Sequence, residues 1–229
     1  MNPMSFYQRQ RPRVIISKGL RLNYVPTPKV GCTSMKALFF QHEFPGAPMP
    51  DNIHKVYPTL RRKGLARTLR DPSFQTVGVF RDPEERFLSG FKDRVLRHKE
   101  VVGLSGKDPL NNLQVFLDRF QDIKAAVPAI QHHFAPQTKF LGIDPMFYDV
   151  LVPLDLLSQF MSVTIGAATA NETSIYKKYK TTEGIRFKPT VKQGEKIRAL
   201  CFREYKKDYA FLWQAQERRL FFRDNAVRI

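Results

Sequence analysis

The stretch VPTPKVGCTSMKALFF at residues 25–40 is the most informative part of the sequence, because a polar loop stands there between a predicted strand and a predicted helix. The segment LRLNYVP (20–26) predicts the strand, and SMKALFFQHEF (34–44) predicts the helix, with Thr33 and Ser34 as candidate N-caps. Such a loop directs backbone N–H groups and the positive end of the helix dipole to one place. Its glycine allows close approach and its lysines add charge, so the stretch predicts an anion site.

The same residues are compatible with a plain tight turn followed by a helix cap. They also differ from the nucleotide P-loop, GxxxxGK[ST], because Lys29 precedes Gly31 and does not open the helix. No acidic strand end that would hold Mg²⁺ stands out in the sequence. A metal-dependent kinase-like enzyme is therefore the less favoured alternative for this loop.

A second strand–turn–helix unit follows at residues 74–98. FQTVGVF (74–80) predicts a buried strand, and DPEERFLSGFKDRVLRH predicts a helix with Asp82 as N-cap and proline at the first position. Arg81 ends the strand, and Ser89 lies about two turns into the helix, so the two side chains predict a second phosphate site. The alternative is a local Arg81–Asp82 ion pair with Ser89 on a solvated face.

Further along the chain, YDVLVP (148–153) predicts a strand, and two amphipathic helices are predicted at 111–123 and 197–212. The alternation of strands and helices predicts an α/β fold with a central, mainly parallel sheet flanked by helices. The length of 229 residues suits a single domain over 1–229, with a core at about 14–215.

Composition narrows the classes of partner. Lys and Arg number 38 against 21 Asp and Glu, a net charge of +17 that indicates an anionic partner: nucleic acid, an acidic membrane, a polyanionic glycan or a phosphate-bearing cofactor. Two cysteines make no disulfide framework, and no zinc-like spacing is present. The sequence contains no apolar run long enough for a transmembrane helix and no secretory leader, which predicts a soluble, cytoplasmic protein.

TPKVGCTSMK and VFRDPEERFLSGFKDR together resemble the two cofactor motifs of the carbohydrate sulfotransferases of the HNK-1 and chondroitin 4-O type, sulfotransferase family 2. Three more segments resemble that family in the same order: HHFAPQTKFLG, YDVLVPLDLL and YKKDYAFL. The matches run from about residue 22 to 212. Phe134 stands where the family usually has Trp, and Pro153-Leu154 where it often has a polar pair. The absence of an N-terminal anchor makes the chain similar to a minimal, bacterial member.

This resemblance implies a P-loop-like three-layer α/β fold and an enzyme that uses 3′-phosphoadenosine 5′-phosphosulfate (PAPS), with 3′-phosphoadenosine 5′-phosphate (PAP) as product and no metal. It implies that Arg81 and Ser89 bind the 3′-phosphate, and that Lys29 is also the catalytic cation at the leaving oxygen. Lys36 either assists or extends its stem along the surface. The residues implied for the 5′-phosphosulfate are Lys29, Val30, Gly31, Cys32, Thr33, Ser34, Met35 and Lys36.

A general base with a pKa near neutrality favours histidine. His54 is the first candidate, since related glycan sulfotransferases take their base from the stretch between the two cofactor motifs. His133 is the second, and an acid is the third. The predicted reaction transfers a sulfuryl group to a carbohydrate hydroxyl. The alternatives are a small alcohol, lipid or phenol acceptor, a kinase-like enzyme, and a nucleic-acid-binding protein.

Overall fold

The computed structural model describes residues 13–56, 65–101, 112–165, 185 and 187–222. The chain divides into two compact units. The first comprises residues 1–81, 137–179 and 210–229, and the second comprises residues 82–136 and 180–209. The single domain over 1–229 stays a prediction, and each unit is described by itself.

The first unit contains a four-stranded sheet in the order β1-β2-β3-β4. Its strands are Ile15–Ser17 (β1), Leu22–Val25 (β2), Gln75–Phe80 (β3) and Val150–Pro153 (β4). β1 pairs antiparallel with β2, whereas β2–β3 and β3–β4 are parallel. All four residues of β2 are buried, as expected of a strand inside a parallel sheet. The prediction of an α/β fold with a mainly parallel sheet is confirmed.

Helices of the first unit follow the strands along the chain. They are Cys32–Glu43 (α1), Ile53–Val56 (α2), Leu65–Thr68 (α3), Thr138–Leu141 (α8) and Leu157–Ile165 (α9), with 3₁₀ turns at Pro145–Phe147 and Leu154–Leu156. One buried cluster includes Tyr24, Phe39 and Val77, and another includes Phe80, Tyr148 and Leu151. Residues 220–222 add to β4: Leu151 N–H donates to Leu220 O, and Phe222 N–H donates to Leu151 O, both at 2.9 Å.

The second unit is helical in its described residues. It comprises Pro83–Gly90 (α4), which continues as a π-helix over Phe91–Arg97, then Leu113–Asp118 (α5), Phe120–Ala126 (α6), Pro128–His133 (α7), Val191–Glu204 (α10) and the start of Lys206–Glu217 (α11). Its core is aromatic: Phe87, Phe116, Phe120 and Phe134 are each at most 1 % exposed. The Phe87 and Phe134 ring centroids are 5.1 Å apart.

The local signals at the start of α4 have the predicted effect. The Asp82 carboxylate accepts from the backbone N–H groups of Glu84 and Glu85, at 2.9 and 3.0 Å. Pro83 occupies the first turn, where no intrahelical N–H bond is lost. The Asp82 cap is confirmed.

Three expectations about elements differ from the structure. The predicted helix at 111–123 is interrupted at Arg119, and the one at 197–212 is interrupted at Tyr205. Thr33 and Ser34 are not N-caps, because α1 begins at Cys32, two residues earlier than predicted, with Gly31 in the cap position. Among the described residues, no helix has both the length and the apolar character needed to cross a membrane.

Candidate active site

The loop between β2 and α1 contains two residues in the left-handed region. Lys29 has φ 67°, and Gly31 has φ 78°. Glycine adopts this conformation at no steric cost, but for a lysine it costs about 1–2 kcal/mol. Strained residues of this kind cluster at ligand sites, but Arg21, Lys99 and Arg219 also have a positive φ, so the conformation of Lys29 is compatible with a binding loop and does not by itself indicate one.

The N-terminus of α1 is arranged to receive an anion. Gly31 supplies no side-chain cap, and the first turn contains no acidic residue. The first N–H groups of a helix have no intrahelical partner, and the helix dipole adds positive potential there. The hydroxyls of Thr33 and Ser34 lie in this turn, although Ser34 is buried. The turn therefore offers donors where the sequence predicted a phosphate.

Gly31 is needed for packing as well as for its conformation. A Cβ at this position would clash with Leu157 Cδ2 and lie 3.1 Å from Leu154 Cδ1. Both leucines belong to the YDVLVPLDLL segment, after β4. That segment therefore packs against the loop at Gly31, which gives it a role the sequence alone did not reveal.

His54 lies beside the same turn. Its Nε2 atom is 3.1 Å from Thr33 Oγ1, and its backbone N–H donates to Asn52 Oδ1 at 3.0 Å. Partial removal of the imidazole from water lowers the pKa of His54, and the ammonium group of Lys36 lowers it further. The imidazole is thus held neutral at neutral pH, which is the form that accepts a proton.

Lys36 is buried, with only 6 % of its surface exposed. A buried stem agrees with either alternative for Lys36, so its part in the site stays a prediction. Burial lowers the pKa of Lys36, whereas the nearby Cys32 acts in the opposite direction. Burial also raises the pKa of the Cys32 thiol, which keeps that sulfur protonated at neutral pH.

Arg81 follows the last residue of β3, as predicted, and is partly buried. Its backbone N–H donates to Gln137 Oε1 at 3.0 Å, and its carbonyl accepts from Gln137 Nε2 at 2.8 Å. These contacts belong to the first unit, together with the loop and His54.

Ser89 and His133 belong to the second unit. Ser89 is partly exposed on α4, and His133 is the last residue of α7, where its carbonyl accepts from Arg86 Nη2 at 3.2 Å. The grouping of these two residues with the loop stays a prediction. No cluster of three or more His, Cys, Asp or Glu side chains suited to a metal ion is present in the parts of the chain that the structure describes.

Comparison with known proteins gives one match. A family model described as the sulfotransferase family covers residues 12–212. The chain belongs to the sulfotransferase family. Searches of curated proteins and of solved structures returned no significant match. Membership makes this protein an enzyme of sulfuryl transfer, for which PAPS is the usual donor of the family.

One departure of this sulfotransferase from the family pattern concerns packing. Phe134, where the family usually has Trp, is 1 % exposed in the aromatic core of the second unit. A Cβ at Gly90 would lie 2.9 Å from Phe134 Cζ, so the ring occupies the space that the glycine leaves. The substitution at this position therefore concerns the core of the unit.

Two polar residues of the sulfotransferase motifs have structural contacts that sequence reasoning missed. Arg86 is 2 % exposed and donates to Ala135 O at 2.8 Å, in addition to His133 O. The burial of Arg86 could have been predicted from the sequence, because positions 83, 86, 87 and 90 share one helix face. The contacts of Gln137 could not have been predicted in this way, since a side chain that bonds a distant backbone leaves no periodic pattern in the sequence.

Proposed function

We propose that the protein transfers the sulfuryl group of PAPS to a hydroxyl group of a carbohydrate, by in-line displacement and without a metal ion. The observation that carries this proposal is the 3.1 Å contact between Thr33 Oγ1 and His54 Nε2, which puts a proton acceptor beside the first turn of α1. The net charge of +17 supports an anionic donor and favours an anionic acceptor.

The 5′-phosphosulfate would be held by the loop and the first turn of α1. The residues there fit an anion, because the helix start has neither a side-chain cap nor an acid, and Lys29 lies in the preceding loop. Backbone N–H groups would supply most of the contacts, since the side chains of Val30 and Met35 are fully buried. The proposed residues are Lys29, Val30, Gly31, Cys32, Thr33, Ser34, Met35 and Lys36.

The 3′-phosphate would be bound by Arg81 and Ser89. A guanidinium group forms two parallel hydrogen bonds to a phosphate, and a hydroxyl adds a third donor. This phosphate does not change during the reaction, so its contacts contribute to binding rather than to the chemical step.

Bound PAPS supplies the sulfuryl group and a leaving phosphate. The ammonium group of Lys29 would stabilise the negative charge that develops on the leaving oxygen. With the imidazole proton on Nδ1, the lone pair of His54 Nε2 would accept the proton of the acceptor hydroxyl once the Thr33 hydroxyl donates to the 5′-phosphosulfate instead. His133 remains the second candidate for that role.

The first test is a thermal-shift titration with PAP and AMP, in the presence of EDTA. A ligand at a hundredfold excess over its Kd stabilises a protein by about 2–3 kcal/mol. We expect this stabilisation from PAP at concentrations where AMP gives a much smaller one, because only PAP carries the 3′-phosphate. Equal shifts from the two nucleotides would contradict the proposal.

The second test is transfer of labelled sulfate from PAPS to a panel of glycans, small alcohols and phenols. We expect a glycan to be the best acceptor, and activity to survive EDTA because cationic side chains and backbone N–H groups supply the positive field. Loss of activity in EDTA with recovery in Mg²⁺ would count against this mechanism. Transfer to small alcohols alone would replace the proposed acceptor class.

A further inference from the structure

Arg81 lies at the point where the hydrogen-bond ladder of the sheet stops. The β2–β3 register ends at Val25 and Gly78, and the β3–β4 register ends at Phe80 and Pro153. Proline has no N–H group to donate, so the ladder does not continue from Pro153. The main chain of Arg81 therefore depends on something other than a neighbouring strand for its orientation.

The carboxamide of Gln137 takes the place of that strand. Arg81 N–H donates to Gln137 Oε1 at 3.0 Å, and Gln137 Nε2 donates to Arg81 O at 2.8 Å. One side chain thus bonds both polar groups of the Arg81 main chain. Gln137 is only 2 % exposed, and buried hydrogen bonds of this kind face little competition from water.

Gln137 is itself held in place. Its carbonyl accepts from the N–H groups of Phe140 and Leu141, both at 2.9 Å, so it opens α8. The Tyr148 hydroxyl donates to Leu141 O at 2.6 Å, at the other end of this one-turn helix. The carboxamide is therefore attached to a fixed backbone, as a positioning group must be.

We propose that Gln137 is a positioning residue for the 3′-phosphate: it fixes the main chain of Arg81, and so the direction in which the guanidinium group leaves the end of β3. This inference rests on the proposed function of Arg81. A guanidinium group that must form two parallel hydrogen bonds to a phosphate loses them when the main chain that carries it rotates. The binding of a 5′-phosphate at α1, in contrast, does not depend on Arg81.

The test measures the selectivity of the protein for PAP over AMP, as the ratio of their Kd values from calorimetry. Gln137→Leu removes both bonds to Arg81, and Gln137→Asn keeps the carboxamide but shortens its reach. We expect each to reduce the selectivity about tenfold, through weaker PAP binding, with AMP binding unchanged. Thr68→Val is the matched control, because it removes one buried hydrogen bond of the same unit, to Asn23 Oδ1 at 2.7 Å, and leaves α8 and Arg81 untouched.

A double-mutant cycle then separates positioning from a general loss of stability. Arg81→Ala should reduce the selectivity to the part that Ser89 supplies, and adding Gln137→Leu to it should reduce the selectivity no further. The inference is overturned if the Gln137 variants keep the wild-type selectivity, or if Thr68→Val loses as much. Absence of selectivity in the wild type, or its full survival in Arg81→Ala, would instead overturn the proposed function of Arg81.

The wild-type protein provides a check that does not depend on a folded variant. The Arg81 amide should exchange with solvent as slowly as amides inside β3, because Gln137 Oε1 holds it. Exchange as fast as in an open loop would contradict the inference.

Discussion

The two strand–turn–helix segments of this chain contain similar residue types that make different kinds of contact. At 25–36 the helix start has no side-chain cap, and the polar groups of its first turn meet His54. At 82–98 the Asp82 carboxylate caps its own helix, and the Arg86 guanidinium bonds the carbonyls of Ala135 and His133. A motif therefore joins residues that we propose to bind a ligand with residues that hold the fold, and only their contacts distinguish them.

The largest effect is expected at the proposed ligand site beside residues 25–36, from the variant His54→Ala. We expect the turnover number to fall by about 10²–10⁴-fold, the range for loss of a general base, with PAP affinity and melting temperature nearly unchanged. Steady-state kinetics with saturating PAPS and a thermal melt check this. His42→Ala, an exposed histidine of the same unit, is the control. If only His133→Ala removes turnover, the base is His133; if both variants stay active, the base is an acid.

Arg86→Leu tests whether the buried arginine of the segment at 82–98 stabilises the fold. The change leaves buried carbonyl oxygens without a strong donor, so we expect the free energy of unfolding to fall by about 2–4 kcal/mol. Urea denaturation measures this. The matched control is Arg198→Ala on the same unit: Arg198 is 68 % exposed where it pairs with Glu84, and its loss should cost at most about 1 kcal/mol. Equal costs for the two variants would remove the distinction between the two arginines.

A comparison of Gly31 with Gly46 separates the cost of loop conformation from the cost of packing. Gly31 and Gly46 both have φ 78°, but a Cβ at Gly46 would meet nothing within 4 Å, whereas one at Gly31 would meet two leucines. Alanine at either position should cost about 1–2 kcal/mol for its φ. Gly31→Ala should cost about 1–3 kcal/mol more because of overpacking, and should also weaken AMP binding. Equal melting temperatures for the two variants would show that the side chains of Leu154 and Leu157 move aside at little cost in stability.

The smallest expected effect concerns pH. Desolvation and, secondarily, the Lys36 charge lower the pKa of His54, so the imidazole stays neutral to a lower pH than an ordinary histidine. Turnover should therefore rise with pH along a limb centred below the usual histidine pKa of about 6.5. Lys36→Met should raise the His54 pKa and move its titration, followed by NMR, to higher pH. A shift in the other direction would show that the ammonium group does not act on this imidazole.

The sequence predicted the elements that carry strong local signals. The Asp82 cap, the proline after it and the alternation of buried strands sufficed for β2, β3, β4 and α4. β1 was not predicted, because three residues of an antiparallel strand contain too little pattern. The helix breaks at Arg119 and Tyr205 have no glycine or proline to mark them, so tertiary packing determines them.

The candidate site was predictable only in part, for a similar reason. Residue types at a strand end pointed to the loop and to Arg81, and the position of His54 came from the family resemblance. The left-handed Lys29 could not be predicted, since lysine rarely adopts that conformation. The bonds from Gln137 to Arg81 and the packing of Leu157 against Gly31 connect distant parts of the chain, and no short-range pattern encodes them.

The segment at 220–222 has a practical consequence for anyone who shortens this protein. The family match ends at residue 212, yet Phe221 forms a parallel bridge with Leu151 and stacks on Phe80, with ring centroids 4.7 Å apart. A fragment cut at the family boundary would keep every motif but would expose the outer side of β4 as an unpaired strand edge. Such edges recruit other chains, so that fragment should aggregate more readily than the longer protein. The limit of a family and the limit of a folding unit are different boundaries.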